Sequence, residues 1–340
     1  MAGSAGSQSS PAYHFPALLY GLLISGAGIS LFVFAVLLRV VLLLPDPHGK
    51  FLWLIRFIIW YSGAPVVVGI LLILFDLFVL LPGKRTRVDV QWDPPANSDL
   101  TVALTAYNDE SSIGLAVTDF LGHPKVKRVI VVDNNSKDRT SEIARQAGAT
   151  VILETHPGYG SCVVRALTEA SGYPDTEMTL LCEGDMTFRA YDIDKFLAYA
   201  PHADIVNGTR IVEQLRNLRT QLTTFMFYGN FVVGKLLEAK HIGRGTLTDV
   251  GTTYKLCRNS CLHGLIPQLN RNVNLEFNAY FMDQALTHGF SLVECPVTFH
   301  GRVGVSKGGN LNNTRALKVG MRMLFGIFVS WKPLVGNESR

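Results

Sequence analysis

Two long apolar runs open the chain. From Phe15 to Leu38 no charged residue occurs for 24 positions, and from Phe57 to Phe75 none for 19. A helix rising ~1.5 Å per residue crosses a ~30 Å hydrocarbon core in about 20 residues, so both runs are of spanning length. Between them, Pro45-Asp46-Pro47-His48-Gly49-Lys50 reads as a tight reversal. The pattern predicts a disordered tail at 1–14 and a two-helix transmembrane hairpin, with helices at about 15–44 and 51–82. A cleaved signal peptide is the poorer reading, because the first run exceeds a signal core and a second span follows it.

From Leu100 the pattern changes to short β-branched runs alternating with helical spacing. Thr101–Ala106, Val126–Asp133, Thr150–Glu154 and Met178–Cys182 read as strands, and Ser111–Leu121, Thr140–Ala147 and Ser161–Ser171 as helices. Near-continuous apolar strands alternating with helices predict an α/β domain, at about 98–310, with a mostly parallel sheet covered on both faces. In such sheets ligands sit beyond the carboxyl ends of the strands. The residues there are Tyr107-Asn108-Asp109-Glu110, Asp133 to Asp138, His156-Pro157-Gly158-Tyr159-Gly160 and Glu183-Gly184-Asp185. Polar and acidic groups are therefore expected on one rim. Acidic residues two apart after a buried strand can aim both carboxylates at one point, which suits Mg²⁺ or Mn²⁺ completed by a diphosphate. Neither GxGxxG nor GxxxxGK[ST] occurs, which disfavours dinucleotide and P-loop chemistry.

Composition sharpens the division. Of 340 residues 48% are hydrophobic and 17% charged, and residues 1–83 carry five charges: Arg39, Asp46, Lys50, Arg56 and Asp76. The rest has an ordinary soluble balance, which excludes a disordered, collagen-like or disulfide-stapled protein. A net charge of +4 leaves no dense basic stripe, so nucleic acid is not an expected partner. Lys84, Arg85 and Arg87 follow the second run while the tail before Pro16 has no Lys or Arg. The positive-inside rule then places both the N-terminus and the large domain in the cytoplasm. Five cysteines without a CxxC pair agree, and Cys257 and Cys261 are read as buried thiols rather than metal ligands. The sequons at Asn134, Asn207, Asn312 and Asn337 would stay unmodified there.

The order of these motifs resembles the inverting family 2 glycosyltransferases of the GT-A fold, within them the polyprenyl-phosphate sugar synthases such as dolichyl-phosphate mannose synthase. Thr105-Ala106-Tyr107-Asn108-Asp109 is similar to P-A-Y-N-E. Val131-Val132-Asp133-Asn134-Asn135-Ser136-Lys137-Asp138-Arg139-Thr140 is similar to V-V-D-D-x-S-x-D-x-T. The resemblance implies nucleotide contacts from Ala106, Tyr107, Asp109, Asp133, Asn134, Ser136 and Gly160. Glu183-Gly184-Asp185 stands in the place of D-x-D, implying a Mg²⁺ or Mn²⁺ site at Glu183, Asp185 and Thr187. Ile205 to Arg210 resembles V-x-G-S-R, Arg219 with Thr223 resembles R-x-x-x-S, Thr248 to Lys255 resembles T-D-x-x-S-G-F-R, and Phe299 to Lys307 resembles F-x-x-R-x-x-G-x-S-K. Arg219 and Thr223, if on one helix, would share a face and a phosphate.

What the resemblance implies is attack by a lipid phosphate on the anomeric carbon of a UDP- or GDP-sugar, with inversion. Asp185 and Asp249 are the catalytic candidates, Asp249 as a hypothetical base near the anomeric centre. Arg210, Arg219 and Thr223 would hold the acceptor phosphate, and Arg302, Ser306 and Lys307 the diphosphate. Partners would be the nucleotide sugar, a polyprenyl phosphate and the bilayer; a homo-oligomer is compatible with a hairpin. The segment 311–340 reads as an amphipathic interfacial segment, with an ordinary core-packing helix nearly equal to it. Two other functions stay open. A processive polysaccharide synthase would need a Q-x-x-R-W segment, yet no tryptophan lies between Trp92 and Trp331. A catalytically silent scaffold would explain Asp109, Asn134 and Glu183, although each keeps acidic or amide function.

Overall fold

The computed structural model describes residues 15–41, 51–85, 90–304 and 313–331. The expected tail, the Pro45–Lys50 reversal, and Ser306 and Lys307 lie outside the described residues. The chain divides near residue 88 into two compact units, with Ala239–Arg244 belonging to the first.

In the first unit, α1 (Ala17–Val41) packs on a helical stretch running from Leu52 to Lys84, and both are long and apolar enough to cross a membrane. That stretch comprises α2 (Leu52–Tyr61), α3 (Gly63–Phe75), a wider π turn (Asp76–Leu80) and α4 (Leu81–Lys84). Small residues let the backbones approach: a Cβ on Gly21 would stand 2.6 Å from the Gly69 carbonyl oxygen. The helix continues through Asp76 because that carboxylate is satisfied. It accepts from the Leu18 amide (2.5 Å), a free donor of the first turn of α1, and from Lys84 Nζ (2.6 Å).

The second unit is built on a seven-stranded sheet of order β3-β2-β1-β4-β6-β5-β7. Its strands are β1 (Leu100–Ala106), β2 (Val126–Asp133), β3 (Thr150–Leu153), β4 (Met178–Glu183), β5 (Ile205–Thr209), β6 (Lys255–Arg258) and β7 (Leu292–Pro296). Helices α5 (Ile113–Leu121), α6 (Thr140–Gln146), α7 (Tyr159–Ser171), α8 (Ile193–Tyr199), α9 (Thr224–Lys240), α10 (Asn259–Leu265), α11 (Phe277–Thr287) and α12 (Asn313–Val329) complete it. Only β6 runs against its neighbours β4 and β5. The mostly parallel sheet expected from the apolar strands is thus present, and the buried side of β1, β2 and β4 packs Leu104, Val131 and Leu180 with Phe120 and Phe196. All five cysteines are free and buried, Cys257 on β6 and Cys261 on α10.

Two features aim this sheet at a ligand. Chain order reverses between β1 and β4, the switch point where open sheets leave a crevice. The register pairs Ala106 with Asp133 and Thr105 with Glu183, so the strand ends finish level.

Candidate active site

At each of these strand ends one non-glycine residue takes a left-handed conformation: Asn108 (φ 52°), Asn135 (φ 62°) and Met186 (φ 66°). Asparagine tolerates this region, and a bulky methionine does not without compensation. The compensation at Met186 is that the turn brings the Thr187 amide (3.0 Å) and hydroxyl (2.6 Å) back onto Asp185 Oδ1. Thr187, expected as a cation ligand, therefore spends its hydroxyl orienting Asp185.

The first two turns are sewn together. Ser136 Oγ accepts from the Asn108 amide (2.8 Å), Asn108 Oδ1 from the Lys137 amide (2.7 Å), and Asp133 Oδ1 from the Ser136 amide (2.9 Å). The Ser141 hydroxyl takes Asp133 Oδ2. Asn134 donates to the Glu154 and His156 carbonyls and accepts from the Gly158 amide, tying the turn after β3 to the rim. Gly160 is dictated by packing, since a Cβ would fall 1.9 Å from the Val273 carbonyl oxygen.

These turns floor a cavity of about 1060 Å³. Ala106, Tyr107, Asp109, Asn134, Glu183, Arg210 and Arg302 line it; Asp133, Ser136, Gly160, Asp185, Thr187, Arg219, Thr223 and Asp249 are not among its lining residues. Tyr159, Asn274 and Asn278 line it too, although none of them was expected as a site residue. Burial, then the neighbouring Asp185 carboxylate, pushes the Glu183 carboxyl up to about 8. Arg302 answers this crowding: Nη2 donates to Asp109 Oδ1 (3.0 Å) while Nη1 stands 3.2 Å from Asp185 Oδ2.

Two expectations require correction. Asp249 offers no free oxygen for a base. Its Oδ2 accepts from the Arg210 amide (3.0 Å) and Nε (2.7 Å), and its Oδ1 from Arg210 Nη2 (2.8 Å) and the Gly251 amide (3.1 Å). Burial raises its pKa, but the Arg210 charge outweighs that and holds the carboxyl below its ordinary range. Arg219 and Thr223 do not share a helix face, because α9 starts only at Thr224. Thr223 instead caps α9, its Oγ1 accepting from the Met226 amide (3.3 Å). Glu294 was missed. Half-buried in β7, it accepts from the Thr248 and Asp249 amides and so holds the Asp249 turn; an acid inside an apolar strand was the signal.

The model of the family described as glycosyl transferase family 2 matches residues 101–263, from β1 through these turns to α10. Protein RfbJ of Shigella flexneri is 32% identical over 114 residues, 33% of this chain and 85% of that protein. The chain belongs to glycosyl transferase family 2. A relative named dolichyl-phosphate hexose transferase, from Haloferax volcanii, is 28% identical over 210 residues, covering 62% of this chain and 86% of that protein. The chain spans only half the length of an uncharacterized glycosyltransferase of Mycobacterium tuberculosis, 34% identical over 116 residues. A solved structure of glucosyl-3-phosphoglycerate synthase from M. tuberculosis, in complex with Mn²⁺ and UDP-glucose, is similar at TM-score 0.45 and 15% identity, covering 67% of this chain and 79% of that one.

For a divalent cation, the donor set fits in kind: Glu183 and Asp185 are hard oxygen donors side by side, with Asp185 held by Thr187. Among the described residues no group of three or more His, Cys, Asp or Glu side chains is gathered as a cage. A cation held by this glycosyltransferase would complete its shell with other oxygens, and the charge it supplies would neutralise a leaving diphosphate.

Proposed function

We propose that this family 2 glycosyltransferase moves a sugar from a nucleotide-diphosphate sugar to the phosphate of a polyprenyl phosphate, with inversion, on the cytoplasmic face of a membrane its two apolar helices cross. The observation that carries the reading is the two-natured cavity. One end is the rim of Asp109, Glu183, Arg210 and Arg302; the other is walled by α9 and α12 through Phe225, Tyr228, Val232, Leu317 and Met321. All five of those apolar side chains are exposed, an arrangement suited to a ligand with a charged head and a hydrocarbon tail. An acceptor phosphate is already ionised near neutral pH and needs little base assistance, in keeping with the commitment of Asp249 to Arg210. Positioning and charge neutralisation then supply the rate. Asp185 with Glu183 is assigned to the cation and donor diphosphate, and Arg210 to the acceptor phosphate, its guanidinium set by Asp249.

Transfer of radiolabel from UDP- and GDP-sugars to polyprenyl phosphate, by purified protein in detergent with Mg²⁺ or Mn²⁺, tests this. Label in the lipid fraction from one donor, lost in Asp185→Ala, is the expected result. Label appearing only on water-soluble acceptors would overturn the lipid assignment.

A further inference from the structure

Arg302 is bound in an unusual way for a half-buried arginine. Its two terminal nitrogens serve different carboxylates, Asp109 Oδ1 at 3.0 Å and Asp185 Oδ2 at 3.2 Å, and its Nε is buried with no hydrogen-bond partner. A guanidinium is at its strongest when its fork takes one carboxylate bidentately. Here the fork is split and incomplete, so the bridge is a weak holder of a strongly charged place. The backbone carrying it is fixed: the His300 amide donates to the Thr187 carbonyl (2.9 Å) and the Val303 amide to the Asp185 carbonyl (3.1 Å). Any change is therefore a swing of one side chain and not of the strand end.

We infer that Arg302 is a built-in cation of the carboxylate rim that competes with a divalent metal for Asp185, and that on displacement its guanidinium becomes the donor diphosphate's partner. The inference rests on the metal and nucleotide-sugar reading above. Its physical content is an exchange. Three carboxylates, Asp109, Glu183 and Asp185, crowd one rim, and one positive charge must stand among them. Metal entry would release the arginine, and a diphosphate would offer it paired oxygens at the spacing its planar fork takes bidentately. Metal and nucleotide binding are thereby coupled through one side chain, and diphosphate binding without metal has to pull Arg302 away from unneutralised acids.

The test uses the full chain in detergent, with Mn²⁺ alone read from loss of its free-ion EPR signal and UDP and GDP binding read by calorimetry at saturating Mn²⁺. Arg302→Gln is expected to bind Mn²⁺ alone about tenfold more tightly and the nucleoside diphosphate about tenfold more weakly. Arg302→Lys, which keeps the charge but cannot bridge, is expected between wild type and Gln in both measurements, and guards against a misfolded Gln variant. Opposite signs in the two readouts support the exchange. Tighter or unchanged diphosphate binding in Arg302→Gln would mean the arginine stays on the acids, and overturns it. Unchanged or weaker Mn²⁺ binding overturns it as well. Should wild type bind no Mn²⁺ with or without UDP or GDP, the metal reading itself falls, and the exchange with it.

Discussion

Two arginine–carboxylate centres border the same cavity and are built on opposite terms. Arg210 meets one carboxylate, Asp249, with both arms of its fork, and the two are 39 residues apart in sequence and fully packed in the interior. Arg302 divides itself between two acids, Asp109 and Asp185, and keeps one nitrogen without a partner. The first arrangement commits both carboxylate oxygens of Asp249 to Arg210 and holds that guanidinium in place; the second divides one guanidinium between two acids and can exchange. A guanidinium lining this cavity is thus not one kind of residue. Whether it is scaffold or reagent is decided by how completely the protein has already answered it.

Removing an arm of the complete centre gives the largest effect. Arg210→Met leaves Asp249, which is 0% exposed, without its counter-charge, and is expected to lower unfolding stability by about 3–5 kcal/mol. Adding Asp249→Leu should recover most of that loss. Arg302→Met, by contrast, should cost only about 1–2 kcal/mol, because Asp109 and Asp185 retain the Tyr107 and Thr187 donors. Denaturant unfolding of the four proteins in one detergent measures the difference; equal losses for Arg210→Met and Arg302→Met would erase the distinction.

The interior around the complete centre can be probed by pH. Lys255, at the start of β6, is fully buried, its Nζ donating to the Thr252 carbonyl, and burial pulls its pKa down to about 7 from 10.5. Between pH 7 and 10.5 the unfolded chain holds a proton that the folded lysine has released. Stability therefore rises with pH across that window, by about 1 kcal/mol per unit from this group. Below pH 7 both states are protonated and the slope vanishes. Comparing wild type with Lys255→Met cancels the other groups, and the expected outcome is a positive slope present only in wild type. A difference that is flat from pH 7 to 10 would mean the interior beside Arg210 admits water.

Much of this architecture was legible, and the reason lies in which signals are local. Strands β1, β2 and β4 announce themselves through apolar runs followed at once by polar turns, so the rim of Tyr107, Asp133 and Glu183 could be located before any coordinates. The pairing of charges could not. Arg302 and Asp109 are 193 residues apart, and no spacing rule connects them. Asp249 looked available as a base because its motif places it near the chemistry, while the partner that saturates it comes from the end of β5. Lys255 carried no warning of its burial, since β6 enters the sheet antiparallel between β4 and β5, a placement the chain order does not reveal.

A third arginine shows the same limit on a smaller scale. The resemblance to R-x-x-x-S, with its i,i+4 spacing, grouped Arg219 with Thr223 as a phosphate pair on one helix face. Arg219 instead sits exposed in the preceding loop, its amide donating to Asn217 Oδ1 (2.9 Å), and Thr223 closes the first turn of α9. The two should then separate under mutation. Thr223→Ala is expected to lower stability by about 1 kcal/mol through loss of the cap, with Thr223→Ser keeping most of it. Arg219→Ala should leave unfolding unchanged. Because Leu222, Met226 and Val233 bring this segment to the cavity wall, a loosened cap should also weaken binding of an apolar-tailed phosphate while sparing that of a short-chain analogue. Equal loss with both acceptors would return Thr223 to the phosphate, since only a contact with the head group is blind to the tail.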